Sequence, residues 1–186
     1  MVRILGVAGS LRKGSYNAAL LRAAVEAAPE GVELVLGTIR GIPLFDADEE
    51  ALGLPPAVKA LREGIRAADG LLIVSPEYNA SIPGVMKNAA DWVSRVYPED
   101  PSPFAGKPVA VMGASMGNFG TLQAQDAWRP VFKRVEAQMW FGGQVVVPRA
   151  QTLFDAEGAL TDEATAKRLT QFLAGFAGFV GKMKGA

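Results

Sequence analysis

The stretch Ile4-Leu5-Gly6-Val7-Ala8-Gly9-Ser10-Leu11-Arg12-Lys13-Gly14-Ser15-Tyr16-Asn17 decides the fold, because a short apolar run passes directly into a loop of glycine, serine and basic residues. The run from Ile4 to Val7 is continuous and not alternating, which is typical of a strand buried on both faces of a parallel sheet. After the loop, Leu20, Leu21 and Ala24 fall on one face of a helix. The stretch therefore predicts a strand, a loop and a helix, the opening unit of an α/β fold.

The same alternation continues to the end of the 186-residue chain. Each apolar run is bounded by Gly, Pro or Ser, and segments of helical periodicity separate the runs. The predicted strands are Ile4–Val7, Val32–Leu36, Leu71–Val74, Val109–Met112 and Val145–Val147. The sequence therefore predicts a single α/β domain over residues 1–186, with a five-stranded parallel sheet of order 2-1-3-4-5 and helices on both faces.

Local signals predict how several connections and helix ends are built. Pro130 should interrupt or kink a helical segment over residues 121–139. The acidic cluster Asp46–Glu50 is predicted to be a solvated loop, and Thr161 is predicted to be the N-cap of the last helix. Four prolines in the segment 97–108 predict a long, rigid connection and not a domain boundary.

The composition excludes many kinds of catalytic chemistry, because the chain contains no Cys and no His. A disulfide scaffold, a thiol nucleophile, a thiolate zinc site and a cysteine-ligated iron–sulfur cluster are excluded. Ser/His/Asp triads, His-ligated metals and the usual proton-transfer side chain near neutral pH are excluded as well. We therefore predict no metal site and no catalytic side chain.

Charge and hydropathy limit the partners. The 19 basic residues balance 19 acidic residues, so there is no net positive field to hold a polyanion and no nucleic-acid partner is expected. The longest apolar run, Phe172 to Gly181, has 10 residues, whereas a membrane-spanning helix needs about 20. The apolar N-terminal stretch is interpreted as a strand and not as a signal peptide, so we expect a cytoplasmic protein with no membrane partner.

Three unusual loops define the candidate ligand site. They are Gly9–Asn17, Ser75–Gly84 and Gly113–Thr121, and they follow the first, third and fourth predicted strands. In the order 2-1-3-4-5 these strands are neighbours, and ligands of open α/β sheets bind beyond the carboxyl ends of the strands. The three loops should therefore share one rim of the sheet, and the loops after the second and fifth strands are expected to lie outside this rim.

The first of these loops has the composition of a phosphate site, because neutral donors and positive charges precede a helix N-terminus that favours anions. The donors are Ser10, Ser15 and Asn17, and the charged residues are Arg12 and Lys13. The dinucleotide fingerprint G-x-G-x-x-G is absent, and Ser15 stands where a P-loop needs Lys. An ordinary strand-to-helix turn with exposed bases is the alternative.

The second and third loops suit a flat ligand. Pro76-Glu77-Tyr78-Asn79, followed by Ser81-Ile82-Pro83-Gly84, can hold a heterocycle through backbone groups while Tyr78 covers an edge. Pro83 fits the first turn of the next helix. Three glycines between positions 113 and 120 allow close backbone approach. A surface turn and plain loop flexibility are the alternatives.

The first and second loops together resemble the NAD(P)H-dependent FMN reductase family, in particular its bacterial quinone and chromate reductases. The motifs are Gly9–Asn17 and the run Pro76–Trp92, and the likeness extends to Ile42–Asp48, Ser115–Gly117 and nearly the whole chain. The resemblance implies a flavodoxin-like three-layer sandwich with bound FMN. It also implies a homodimer or homotetramer with the flavin near a subunit boundary.

The resemblance further implies which residues bind FMN. The first loop would hold the phosphate, the second would line the ribityl chain and isoalloxazine, and the third would close the other side. The candidate residues are Ser10, Arg12, Ser15, Tyr16, Asn17, Pro76, Glu77, Tyr78, Asn79, Ser81, Ser115, Met116, Gly117 and Gly120. Glu77 is expected to orient its loop. Close relatives differ in having a glycine at Ala80 and an arginine in the run that reads Gly120-Thr121-Leu122-Gln123 here.

The implied activity is two-electron reduction by ping-pong chemistry. NAD(P)H passes a hydride to bound FMN and leaves, and a small-molecule electron acceptor takes its place: a quinone, free flavin, chromate, a ferric complex or an azo compound. Such chemistry needs no side-chain nucleophile, which agrees with the missing His and Cys. A non-enzymatic electron carrier of the flavodoxin type is the alternative, which the zero net charge disfavours, and a phosphate-binding regulatory module without flavin is a third possibility.

An aromatic set predicts oligomerisation. Four bulky aromatic residues lie on or after two neighbouring helices: Trp92, Trp128, Trp140 and Phe141. So many aromatic side chains are more than a monomer is expected to expose to solvent. We expect at least a dimer, with Trp92 at a subunit interface near the shared flavin site.

Overall fold

Strands and helices alternate in the predicted order in the computed structural model, which describes residues 1–185. The strands are β1 (Val2–Ala8), β2 (Val32–Gly37), β3 (Gly70–Val74), β4 (Pro108–Ala114), β5 (Gln138–Met139) and β6 (Val146–Val147). The helices are α1 (Tyr16–Glu26), α2 (Ala47–Ala51), α3 (Pro56–Ala67), α4 (Gly84–Val93), α5 (Leu122–Arg134) and α6 (Glu163–Lys184). A 3₁₀ turn covers Ala150–Thr152.

The sheet is parallel, and its order β2-β1-β3-β4-β5 confirms the predicted order. The strands β3 and β4 are buried along their whole length, as their continuous apolar runs predicted. The edge strand β2 instead mixes buried and exposed positions. As a result, the carboxyl ends of β1, β3 and β4 lie side by side at one end of the sheet.

Helices cover both faces of the sheet and enclose two separate cores. One core lies under α1 and α6 and includes Leu20, Leu72 and Phe176. The other lies under α3, α4 and α5 and includes Ile65 and Phe132. Fully burying a side chain of this size contributes about 1.5–3 kcal/mol, so both helix layers are held mainly by their apolar faces.

The fifth position of the sheet is shared by two short strands, a division that the sequence analysis did not predict. β5 pairs with the first two residues of β4, and β6, which corresponds to the predicted strand Val145–Val147, pairs with the last two. Between them the Trp140 ring packs on α6, with its centroid 5.2 Å from that of Phe172. A Cβ at Gly142 would lie 2.6 Å from Trp140 Nε1, and one at Gly175 would lie 2.9 Å from its Cζ2. These glycines make room for the indole ring between the two strands.

Two predictions about helix ends are wrong, because aspartates cap both helices. Asp46–Glu50 is not a loop: Asp46 caps α2 by accepting a hydrogen bond from the Asp48 N–H (2.9 Å). Asp162 caps α6 through the Thr165 N–H (2.7 Å). Thr161 instead donates its hydroxyl to a backbone carbonyl of the preceding loop (3.1 Å).

Pro130 was predicted to interrupt or kink its helix, and the interruption is wrong. Helix α5 continues through Pro130 to Arg134, and the end of the predicted segment is the strand β5. The proline removes the N–H that would bond the Asp126 carbonyl. Both residues are exposed, so water can bond that carbonyl and the helix continues.

The proline-rich connection is fixed by a buried arginine. Arg62 of α3 is 1% exposed and donates hydrogen bonds to the last carbonyl of α4 (2.6 Å) and to the Asp100 carboxylate (2.8 Å). Tyr97 donates its hydroxyl to Glu50 (2.7 Å), and burial together with this hydrogen bond raises the pKa of Tyr97 to about 12. These bonds give the predicted rigid connection its physical basis.

Trp92 and Trp128 belong to the core, so the prediction that they are exposed, with Trp92 at an interface, is wrong; Trp140 is partly buried, and Phe141 is 65% exposed, as predicted. Trp92 and Trp128 are 0% and 1% exposed. The Trp92 indole donates to the Pro43 carbonyl (3.0 Å), and Trp128 stacks on Phe132 with ring centroids 4.9 Å apart. Among the described residues, no helix has the length and apolar content needed to cross a membrane.

Candidate functional site

The carboxyl ends of the central strands bring the three predicted loops together. Loop 1 (Gly9–Asn17) follows β1, loop 2 (Ser75–Gly84) follows β3, and loop 3 (Ser115–Thr121) follows β4, which is longer than predicted. Strand pairing continues into their first residues, since the Gly9 N–H bonds the last carbonyl of β3 (2.9 Å). The predicted neighbourhood of the three loops is therefore confirmed.

The loops after β2 and β6 also reach this rim, which corrects the expectation that they lie outside it. Arg40, after β2, donates to the Leu11 carbonyl of loop 1 (2.9 Å). After β6, the N–H of Arg149 donates to the Gly117 carbonyl of loop 3 (3.1 Å). Arg149 has a left-handed backbone with φ of 46°. Neither arginine was among the predicted site residues, although each lies a few residues after a predicted strand.

Loop 1 ends in an open helix N-terminus. Ser15 is the N-cap of α1, and its hydroxyl accepts from the Ala18 N–H (3.3 Å). The other N–H groups of a first helical turn have no carbonyl partner within the helix. The Arg12 guanidinium bonds the Gly14 carbonyl and lies 5.6 Å from the Tyr16 ring centroid. Positive charge is thus held beside unpaired donors.

Asn17 has a different position from the one expected of a phosphate ligand. Its side chain is buried, donates to the carbonyl of Ala114 at the end of β4 (2.8 Å) and accepts from the N–H of the same residue (2.9 Å). The amide therefore joins α1 to β4 and does not face the surface of loop 1. Nothing in the sequence distinguished this role from ligand binding, because the partner lies 97 residues away.

Loop 2 forms a tight hairpin at its tip. Tyr78 and Ser81 exchange two backbone hydrogen bonds of 3.1 Å, and the central residues Asn79 and Ala80 have φ values of 49° and 60°. Positive φ at both central positions is the type I′ pattern, for which Asn-Gly is the preferred pair. Ala80 therefore occupies a position that favours glycine.

Loop 2 is also bonded to helix α5. Glu77 Oε2 accepts from the N–H groups of Gln123 (2.9 Å) and Ala124 (3.0 Å), which are in the first turn of α5. The Trp128 indole donates to Ser75 Oγ (3.1 Å) in a buried contact. The two hydrogen bonds from α5 to Glu77 give a physical basis for the prediction that Glu77 orients loop 2.

Loop 3 exposes its first residues and buries its last. Met116 and Gly117 are exposed, and Ser115 is half-buried, with its hydroxyl accepting from the Gly117 N–H (3.1 Å). Gly120 is buried with φ of 61°, and a Cβ there would lie 2.2 Å from Val146 Cγ1. Packing against β6 requires a glycine here, so residue 120 lies against the protein interior and not on a surface that a ligand could contact.

The donor set suits FMN. A dianionic phosphate matches the free N–H groups and the charge of loop 1. A Cβ on Gly14 would meet no heavy atom within 4 Å, so this position is open to a ligand. The exposed Tyr78 ring and the hairpin of loop 2 offer a flat surface at the same end of the sheet. Two concavities, of about 510 and 550 Å³, lie beside α5 and at its C-terminal end, and both are lined by residues outside loops 1, 2 and 3.

Comparisons with known proteins show which family the chain belongs to. The family model described as NADPH-dependent FMN reductase matches residues 2–152. An NAD(P)H-dependent FMN reductase of Pseudomonas aeruginosa is 45% identical over 99% of this chain and 98% of its own. A quinone reductase of Escherichia coli K12 is 39% identical over 98% of this chain and 97% of its own.

Solved structures show the same similarity. FerB, a flavoenzyme NAD(P)H:(acceptor) oxidoreductase from Paracoccus denitrificans, superposes with a TM-score of 0.87 at 32% identity and covers 98% of this chain and 99% of its own. The fold and the loop cluster define a flavodoxin-like flavoprotein. The chain belongs to the NADPH-dependent FMN reductase family, and it is an oxidoreductase that uses NAD(P)H as electron donor and FMN as cofactor.

Proposed function

We propose that this enzyme reduces quinones, and other small oxidants such as free flavin, chromate, ferric complexes or azo compounds, with FMN held by loops 1, 2 and 3. The observation that carries the proposal is that the open α1 N-terminus and the braced hairpin of loop 2 follow neighbouring strands at the same end of the sheet. Related proteins named as quinone reductases support this choice of acceptor. They also disfavour the non-enzymatic carrier.

Loop 1 is proposed to hold the phosphate. The N–H groups of Tyr16 and Asn17 and the hydroxyls of Ser10 and Ser15 donate, while Arg12 balances the negative charge. In this arrangement the Asn17 side chain contributes indirectly, by fixing the helix N-terminus on β4.

Loops 2 and 3 are proposed to enclose the ring system. Backbone groups of Pro76, Glu77, Asn79 and Ser81 face the ring, and Tyr78, which is 46% exposed, covers one edge. Residues Ser115 to Gly117 face the ring from loop 3. Bound FMN supplies the two-electron chemistry, so the chain provides binding, orientation and exclusion of water. The exposed Met116 and Phe119 make the adjoining surface apolar, which suits a planar quinone.

A homodimer or homotetramer is also proposed, on different grounds from the tryptophans. Large apolar side chains around the rim are exposed, and Phe119 is 78% exposed. Others are Leu11, Leu44, Phe45, Tyr78, Val85, Met116 and Leu122. Apolar patches of this kind mark interfaces. Light scattering at micromolar concentration tests the proposal, and a monomer would contradict it.

Dependence on NAD(P)H supports the predicted cytoplasmic location.

The function is tested with the purified protein, FMN, and NADH or NADPH. We expect one FMN per chain after dialysis and oxidation of NAD(P)H that depends on added quinone. Failure to bind FMN, or no quinone-dependent oxidation, would refute the proposal.

The position of the phosphate is tested by Arg12→Asp. The new negative charge should weaken FMN binding at least tenfold and leave riboflavin, which has no phosphate, nearly unaffected. Lys182→Asp, an equal charge reversal in the last turn of α6 at the other end of the sheet, is the control. Equal effects of the two variants on FMN would show that the phosphate does not lie at loop 1.

A further inference from the structure

Helix α5 lacks an N-cap from its own sequence. Thr121 stands at the N-cap position, but its side chain makes no capping hydrogen bond. Its hydroxyl oxygen instead accepts from Gln125 Nε2 (3.1 Å), in a buried contact. The usual local solution for the free N–H groups of a first helical turn is therefore missing.

Glu77 supplies the cap from loop 2. One carboxylate oxygen accepts from two N–H groups of the first turn, those of Gln123 and Ala124, across 46 and 47 residues of sequence. A negative charge at a helix N-terminus is also favoured by the helix dipole. The same two hydrogen bonds therefore satisfy the helix and fix the position of Glu77.

Packing makes the helix a rigid support for this contact. Trp128, in the middle of α5, is buried, stacks on Phe132 and donates to Ser75 at the first position of loop 2. A Cβ on Gly113 of β4 would lie 2.1 Å from the Ser75 carbonyl oxygen, so loop 2 also touches the neighbouring strand directly. Glu77 lies between this anchored start and the exposed hairpin tip.

We propose that Glu77 is a positioning residue that fixes the ring-side loop for the flavin by capping α5, without touching the reacting atoms. This inference rests on the proposed FMN site. It predicts that loss of the carboxylate disturbs recognition of the flavin ring and not of its phosphate.

The experiment compares Glu77→Ala, Glu77→Gln and the wild type by titration with FMN and with riboflavin. We expect Glu77→Ala to lower the affinity for FMN and for riboflavin at least tenfold and by the same factor, because only the part of the site that contacts the flavin ring is changed. The visible circular dichroism of FMN, at saturating concentration, should also change. Glu77→Gln keeps an oxygen at the accepting position and should restore the affinity to within about threefold of wild type.

Asp162→Ala is the matched control, because Asp162 caps α6 through a side-chain hydrogen bond in the same way. It should lower the melting temperature about as much as Glu77→Ala, with no change in flavin affinity or circular dichroism. Equal flavin affinities for Glu77→Ala and the wild type would overturn the inference. If Glu77→Ala does not fold, Glu77→Asp, which keeps the charge but is one methylene shorter, is expected to show the same loss.

The two proposals fail in different ways. A wild type that binds no FMN refutes the proposed function. A wild type that binds FMN, with Glu77→Ala selectively weak for FMN and normal for riboflavin, refutes only the positioning role.

Discussion

Loops 1 and 2 meet at the same end of the sheet but are held in place by different means. Loop 1 closes its central turn with its own groups: the Arg12 N–H donates to Ser10 Oγ (3.4 Å), and its guanidinium bonds Gly14. Longer-range bonds at Gly9, Leu11 and Asn17 attach the loop to its neighbours. Loop 2 is fixed by distant groups, through Glu77 and Ser75 to α5. A phosphate can be recognised by charge and free N–H groups, whereas a flat ring needs a preformed surface. Loop 1 therefore supplies charge, and loop 2 supplies shape.

The largest expected effect comes from breaking the packing beneath loop 2. In Gly113→Ala the new Cβ would lie 2.1 Å from the Ser75 carbonyl oxygen, a backbone atom that cannot rotate away. The free energy of unfolding should fall by about 3 kcal/mol. Gly14→Ala in loop 1, where the Cβ meets nothing within 4 Å, should change it by less than about 0.5 kcal/mol. Urea denaturation without FMN measures both, and similar losses would show that the two loops are equally braced.

A smaller effect is expected where loop 1 joins the core. Asn17→Asp places a carboxylate against the Ala114 carbonyl, where the amide now donates at 2.8 Å. The free energy of unfolding without FMN should fall by about 2 kcal/mol at neutral pH. The buried position should raise the pKa of the new carboxyl in the folded state, so the stability is retained below the unfolded pKa of about 3.9 and lost as the pH rises through the folded pKa. Normal stability without FMN, combined with weak FMN binding, would instead place this side chain against the phosphate.

A substitution at the hairpin tip of loop 2 should raise the free energy of unfolding instead of lowering it. Ala80 has φ of 60°, which an L residue adopts at a cost, so Ala80→Gly should raise the free energy of unfolding by about 1 kcal/mol. Ala18→Gly, in the first turns of α1, should lower it by up to about 1 kcal/mol because glycine is a poor helix former. Thermal unfolding of both variants checks the signs, and destabilisation by Ala80→Gly would show that the turn is not strained.

The smallest effect is expected in the pH dependence of the reaction. Loop 1 contributes Arg and Lys, loop 2 contributes Glu, and the chain contains no His or Cys that would titrate near neutrality. The rate of flavin reduction by saturating NADH, measured anaerobically by stopped flow, should change less than about threefold between about pH 6 and 8. A tenfold change would reveal a titrating group, and Glu77 would be the first residue to test.

The general architecture could be predicted because apolar residues recur along the chain with the spacing of buried strands and of helices packed on a sheet. Continuous apolar runs identified β3 and β4, and helical periodicity identified the layers that cover them. The strand order then brought loops 1, 2 and 3 to one end, so the place of the candidate site followed from local patterns alone. The same patterns could not detect that β5 and β6 share one position, since Trp140 packs on a helix far along the sequence.

The sequence by itself determined the fold class, the loop composition and the absence of His and Cys chemistry, because these depend on residue type and short-range spacing. Only the tertiary structure decided what individual side chains do. Asn17 bonds a strand 97 residues away, Glu77 caps a helix 46 residues away, and Trp92 fills the core. A polar side chain beside a glycine-rich loop has the same sequence signature whether it faces a ligand or a backbone group. Which partner such a side chain meets depends on how distant segments of the chain pack together.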